Sequence, residues 1–232
     1  MASTAARSAA RVVIVDDHVS VAEALELALR AEGYDVRRVE VPVTPAAVAP
    51  LVSAIVRLRP TLVLLNLDLG PFGDGTRLVT PLTEHGAEVV VLTGLSDRAR
   101  WGEVLEAGAR TVVSKSRPLQ DLLATVRRID QGLPVLDRVE RDALVDTWVL
   151  RRNDQGDVRD RIDLLTMRER EVLGELMRGH PVREIAARGV VSEATVRTQV
   201  KSILGKLEVS SQLAAVGMAH RVGWQAPRRV RS

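Results

Sequence analysis

Five short apolar runs separated by helix-length amphipathic stretches constrain this chain more than any other feature. VVIV (12–15), DVRRVEV (35–41), TLVLL (61–65), AEVVVL (87–92) and TVVS (111–114) have the length and composition of strands. VAEALELALRAEG (21–33), AAVAPLVSAIVRLR (46–59), ARWGEVLEAGA (99–109) and LQDLLATVRRIDQG (119–132) have helical spacing. Strands that alternate with helices predict an α/β domain, a doubly wound five-stranded parallel sheet covered on both faces. Gly33 and Gly132 stand where helix C-terminal glycines belong, and Pro60 stops the second helix just before the third strand. In such a sheet the site lies at the carboxyl ends of the strands.

The pattern changes after residue 132. Residues 133–163 contain an amphipathic stretch, VERDALVDTWVLRR, expected as a connecting helix, and then NDQGDVRDR, whose only apolar residue is Val158 and which is expected as a flexible linker. From 164 to 224 only helical patterns occur, so an all-α second domain is predicted. A length of 232 residues with 46% apolar and 27% charged residues suits two soluble domains. The absence of cysteine excludes disulfides, thiolate metal sites and thiol nucleophiles. The start MASTAARSAA has no apolar core and no later stretch is long enough to span a bilayer, so a cytoplasmic protein without a membrane partner is expected. Residues 1–132 carry 15 Lys+Arg against 16 Asp+Glu, whereas residues 164–232 carry 12 against 6. Basic charge concentrated in a small terminal domain suggests a polyanion partner.

The first strand ends in Asp16-Asp17, the third in Asn66, the fourth in Thr93 and the fifth in Lys115. Two carboxylates, a hydroxyl and an ammonium on one rim can hold a hard cation and an anionic oxygen group. Paired aspartates after a strand are, taken alone, as readily a helix N-cap. The arrangement resembles the receiver domain of two-component response regulators over residues 10–132. The resemblance implies that Asp16 and Asp17 hold Mg²⁺, that an aspartate at the end of the third strand takes a phosphoryl group, and that Thr93 and Lys115 contact that group. Asn66 stands at the acceptor position, six residues after Pro60, and an amide is not the carboxylate nucleophile that acyl-phosphate formation requires. Losing that charge also weakens divalent-metal binding, so no cofactor is required and Mg²⁺ binding at Asp16 and Asp17 is weak at most. The family's aromatic switch position is Val112. A shifted register would instead make Asp68 the acceptor.

In the second domain, Thr166 with Glu169 three residues later is a capping box, Pro181 suits a first helical position, Gly189 a stop and Ser192 an N-cap. The helix that follows has Val196, Val200, Ile203, Leu204 and Leu207 on one face, and Glu193, Arg197 and Lys201 on another. LTMREREVL, EIA and VSEATVRTQVKSILGKL resemble the LuxR-type helix-turn-helix, and the receiver before it makes the whole similar to a NarL/FixJ-type response regulator. The resemblance implies a recognition helix over 192–207, with Arg197, Thr198 and Lys201 nearest the bases and Ser192, Thr195 and Lys206 beside them. It also implies a homodimer joined through Leu213, Val216 and Ala219 of the last helix.

The reading is a DNA-binding transcriptional regulator, not an enzyme, whose domains are a receiver-like domain at 10–132, a connector at 133–163 and a helix-turn-helix domain at 164–224. Its receiver-like domain is expected not to use aspartyl phosphorylation. Two alternatives stay open: a conventional regulator phosphorylated on Asp68, and a receiver-like module gated by a small ligand or a protein partner.

Overall fold

The computed structural model describes residues 10–42 and 48–226. The start of the chain, the first residues of the 46–59 segment and the RRVRS tail lie outside them. In chain order the first unit runs β1 (Arg11–Val15), α1 (Val19–Ala31), β2 (Asp35–Arg38), α2 (Val48–Arg57), β3 (Leu62–Asn66), α3 (Thr76–Glu84), β4 (Glu88–Thr93), α4 (Arg98–Glu106), β5 (Thr111–Ser114) and α5 (Leu119–Asp130). The five strands form one parallel sheet in the order β2-β1-β3-β4-β5. Alternate residues of each strand point to opposite faces. Val13, Val15, Val63, Leu65, Val89 and Val91 therefore pack with Ile55, Leu78 and Leu82 on one side. Val12, Ile14, Leu64, Val90 and Leu92 pack with Leu25, Leu29, Leu122 and Val126 on the other. Burial on both faces explains why these strands are continuously apolar.

A long helix follows, α6 (Arg138–Asp163). The expected flexible linker is therefore helix throughout. Val158 and Ile162, four residues apart on one face, are buried with Leu165 in the core of the second unit. That burial offsets the cost of Gly156 and the charged residues around it. The two compact units divide within α6, between Val149 and Leu150.

The second unit adds α7 (Met167–Met177), α8 (Val182–Gly189), α9 (Glu193–Leu207) and α10 (Gln212–Arg221) around Leu173, Ile185, Val196, Val200, Ile203 and Leu207. The capping box at Thr166 and Glu169 is formed, and the Ser192 side chain caps α9 by accepting from the Thr195 N–H. Pro181 sits one position earlier than expected, at the N-cap of α8. Gly189 is the last helical residue, and the left-handed turn falls on Val190 at φ 52°. Among the described residues no helix is long and apolar enough to cross a membrane.

Candidate phosphoryl pocket and nucleic-acid interface

The parallel sheet brings Asp16, Asp17, Asn66, Thr93 and Lys115 to the ends of four adjacent strands. Lys115 Nζ donates to Asp16 Oδ2 at 2.7 Å. The Asn66 amide donates to Asp17 Oδ1 at 2.8 Å and to Asp16 Oδ1 at 3.2 Å, and its third partner is the backbone carbonyl of Asp68. All three neighbours are oxygens that accept, so the NH₂ end of the side chain must face them. Asn66 and Asp16 are buried, which leaves the two carboxylates to be compensated by this amide, by Lys115 and by the His18 N–H, 2.9 Å from Asp16 Oδ1.

The His18 ring joins the cluster, with Nδ1 at 3.2 Å from Asp16 Oδ1 and 3.0 Å from Asp17 Oδ1. Its spacing gave no sign of this, because the contact depends on the turn from β1 into α1. Thr93 Oγ1 accepts from the Leu95 N–H at 3.0 Å, so the hydroxyl ties down its own loop. Asp68 is exposed, and its carboxylate accepts from the Gly70 N–H at 3.1 Å. Val112 is half-buried against the sheet core.

The donor set for a hard cation would be Asp16, Asp17 and the Asp68 carbonyl. Those are the oxygens that accept from Asn66, whose hydrogens point into the space between them. Asp16, Asp17 and His18 each offer one ligand atom within 4.8 Å of the others, so a cation would have to displace the Asn66 amide from these oxygens.

In the second unit, Val196, Val200, Ile203 and Leu207 of α9 are buried, while Thr195, Arg197, Thr198 and Lys201 are exposed. Arg197 pairs with Glu193 at 3.3 Å on the helix surface, and Thr198 Oγ1 donates to the Ala194 carbonyl. Lys206 is turned inward instead. Its Nζ donates to Glu169 Oε2 at 2.7 Å, and Ser202 donates to Glu169 Oε1 at 2.6 Å. Burial pushes the Glu169 carboxyl up, but hydrogen bonds from Lys206, Ser202 and Thr166 outweigh it and hold the group down to about 2. The capping box was readable in sequence; the link from α7 to α9 was not, because it joins residues 37 positions apart.

On α10 the expected dimer stripe divides. Leu213 is 82% exposed and Val216 half-buried, but Ala219 is fully buried with Ala215 and Met218 in the domain's own core. Ala219 therefore faces its own domain, because the α10 positions that meet α7 and α9 include 215, 218 and 219.

A parallel sheet with an acidic rim, followed by a helix-turn-helix unit, is the construction of a DNA-binding response regulator. The family described as "Response regulator receiver domain" matches residues 12–127, and that described as "Bacterial regulatory proteins, luxR family" matches residues 163–219. The chain belongs to the response regulator family and is a DNA-binding member of its LuxR-type branch. It is similar to the oxygen regulatory protein NreC of Staphylococcus aureus, 26% identical over 205 residues that span 87% of this chain and 93% of NreC. Among solved structures it is similar to RcsB of Salmonella typhimurium at 22% identity, 93% and 100% coverage and a TM-score of 0.48. The response regulator ChrA of a heme-sensing two-component system gives 25%, 93% and 98%, with a TM-score of 0.46.

Proposed function

We propose that this response regulator binds DNA under the control of a receiver that does not form an aspartyl phosphate. The observation that carries the reading is the Asn66 amide, hydrogen-bonded to both rim carboxylates and to the Asp68 carbonyl. Acyl-phosphate formation needs a carboxylate oxygen to attack phosphorus while the donor's leaving group departs. The nitrogen lone pair of an amide is delocalised into its carbonyl, and here its two hydrogens are shared among the rim carboxylates and the Asp68 carbonyl. The same amide gives buried Asp16 and half-buried Asp17 a shared partner within the chain.

DNA contact is assigned to the exposed face of α9, with Arg197, Thr198 and Lys201 at base edges and Ser192 and Thr195 near the phosphates. Lys206 is withdrawn from that set, since Glu169 holds its charge. Pairing of two chains is assigned to Leu213 and Val216.

The test is intact-mass analysis of wild type, Asn66→Asp and Asp68→Ala after incubation with acetyl phosphate and Mg²⁺. Wild type should take no label, and Asn66→Asp should take one, because it restores a nucleophile between Asp16, Asp17 and Lys115. Its DNA affinity should change little, as Val112 offers no aromatic ring to follow an engaged Thr93. A wild-type adduct that vanishes in Asp68→Ala would return the chain to conventional phosphorylation.

A further inference from the structure

The exposed face of α9 carries Glu193, Arg197 and Lys201 at intervals of four residues, a stripe with about 6 Å from one to the next along the axis. Between Ser192 and Lys201, Glu193 is the one acidic residue. On a helix assigned to DNA a carboxylate is unfavourable, because the phosphates repel it. Capping does not account for it. The start of α9 is capped by Ser192, whose hydroxyl oxygen accepts from the Thr195 N–H at 3.1 Å, and the Glu193 side chain reaches along the helix to Arg197 instead.

Arg197 Nη2 donates to Glu193 Oε2 at 3.3 Å, longer than the roughly 2.7–2.9 Å of a strong charged hydrogen bond. Both residues are exposed, and among the described residues Glu193 Oε1 accepts from no donor. Off DNA the two charges hold each other loosely. When Arg197 turns to a base, the Glu193 carboxylate is released beside it with two oxygens to satisfy.

The major groove restricts what such a carboxylate can meet. Guanine presents two acceptors there and thymine an acceptor and a methyl group, so both reject it. Adenine sets an acceptor beside its donor, an edge matched by an amide. Cytosine presents the N4 amino donor alone, which an acceptor-only side chain fits. We propose that Glu193 is a specificity-determining residue: the surface pair opens on DNA, Arg197 donates to a guanine, and Glu193 accepts from the N4 amino group of a cytosine in a neighbouring base pair. The separation of about 6 Å along the helix corresponds to about two base-pair steps of about 3.4 Å. The half-site therefore holds two G·C pairs within two steps of each other, one read through its guanine and the other through its cytosine. This rests on the assignment of the exposed face of α9 to base edges and adds to it the sequence that the face selects.

The test is selection from randomised double-stranded DNA by the full chain and by its Glu193→Gln, Glu193→Ala and Arg197→Ala variants, followed by fluorescence anisotropy on the selected sites at fixed salt. Wild type should select half-sites with two such G·C pairs, and replacing either pair should weaken binding roughly five- to hundredfold. Glu193→Gln should turn one of the two positions towards A·T, since glutamine matches the adenine edge, and Glu193→Ala should leave that position unselected. Neither variant should lose affinity for random-sequence DNA, because each removes a negative charge. A carboxylate that serves the helix dipole alone would give another pattern: a lower melting temperature, weaker binding to every sequence and unchanged base preferences. That pattern, or a wild-type half-site with fewer than two G·C pairs within two steps, would overturn the role of Glu193. Wild-type selection and affinity in Arg197→Ala would remove the assignment of α9 to base edges and the role of Glu193 with it.

Discussion

One carboxylate shows how differently a residue behaves when its partners come from elsewhere in the chain. Glu169 begins as half of a local capping box, yet its oxygens also receive Ser202 and Lys206 from α9, which turns a helix cap into an interhelical tie. Its folded pKa is depressed, so its contribution is present above about pH 4.5 and is lost as the pH falls towards about 2. Urea unfolding of the wild type should therefore show stability of the second unit declining across that window, whereas Glu169→Gln should be flatter there and less stable at pH 7. Lys206→Ala should cost about 1.5–3 kcal/mol at pH 7, the loss of a charged hydrogen bond to a buried group. An unchanged urea midpoint for Lys206→Ala would release Lys206 for DNA contact. At the other end of the chain Asn66 is the counterpart: a neutral side chain that satisfies two carboxylates and a carbonyl at once.

The elements follow their apolar periodicity, and the exposed face of α9 is what remains after burial has used the other. Among the described residues Arg197 is tethered only by a surface pair with Glu193, a contact worth at most about 1 kcal/mol, so its guanidinium can exchange that carboxylate for a guanine edge. Arg197→Ala should weaken specific binding by about tenfold or more, equivalent to about 1–3 kcal/mol, with helix content unchanged. Fluorescence anisotropy at fixed salt, paired with circular dichroism, measures both. Binding should also weaken steeply as salt rises, because phosphate neutralisation releases counterions. The linker shows the converse case. Counted by polarity it should be loose, but Val158 and Ile162 have one side in the core of the second unit, and two buried residues at i and i+4 are enough to hold a charged segment in helix.

At the scale of the whole molecule, charge is partitioned: the first 132 residues are nearly neutral and the basic excess lies after residue 163. Such a chain concentrates its attraction for DNA in one unit. Two copies on adjacent half-sites would multiply that attraction, and Leu213 is the residue of α10 best placed to join them, being 82% exposed and so not needed by its own domain. Leu213→Asp should leave the melting temperature of the isolated chain within a degree or two, yet make the two half-sites of an inverted repeat fill independently. Cooperative filling by the variant, measured by quantitative footprinting, would move the pairing surface elsewhere.

Order along the chain was enough for the strand sequence, the residues at the strand ends and the helix α9 with its buried stripe. Continuous apolar runs must be covered, the ends of parallel strands must meet on one edge, and a helix with a single apolar stripe must show its other face. Asn66 could be placed at the acceptor position by counting from Pro60. What it does there could not be read, since the direction of an amide depends on oxygens from β1 and from the loop beyond β3. The same reason separates Ala219 from Leu213: both are small or apolar and both lie on α10, but the packing of α7 and α9 decides which one is covered. Gly102 is the plainest instance. In sequence it is an unhelpful residue inside a short helix, and only the approach of the Leu144 backbone, 42 positions later, supplies the reason for a missing Cβ.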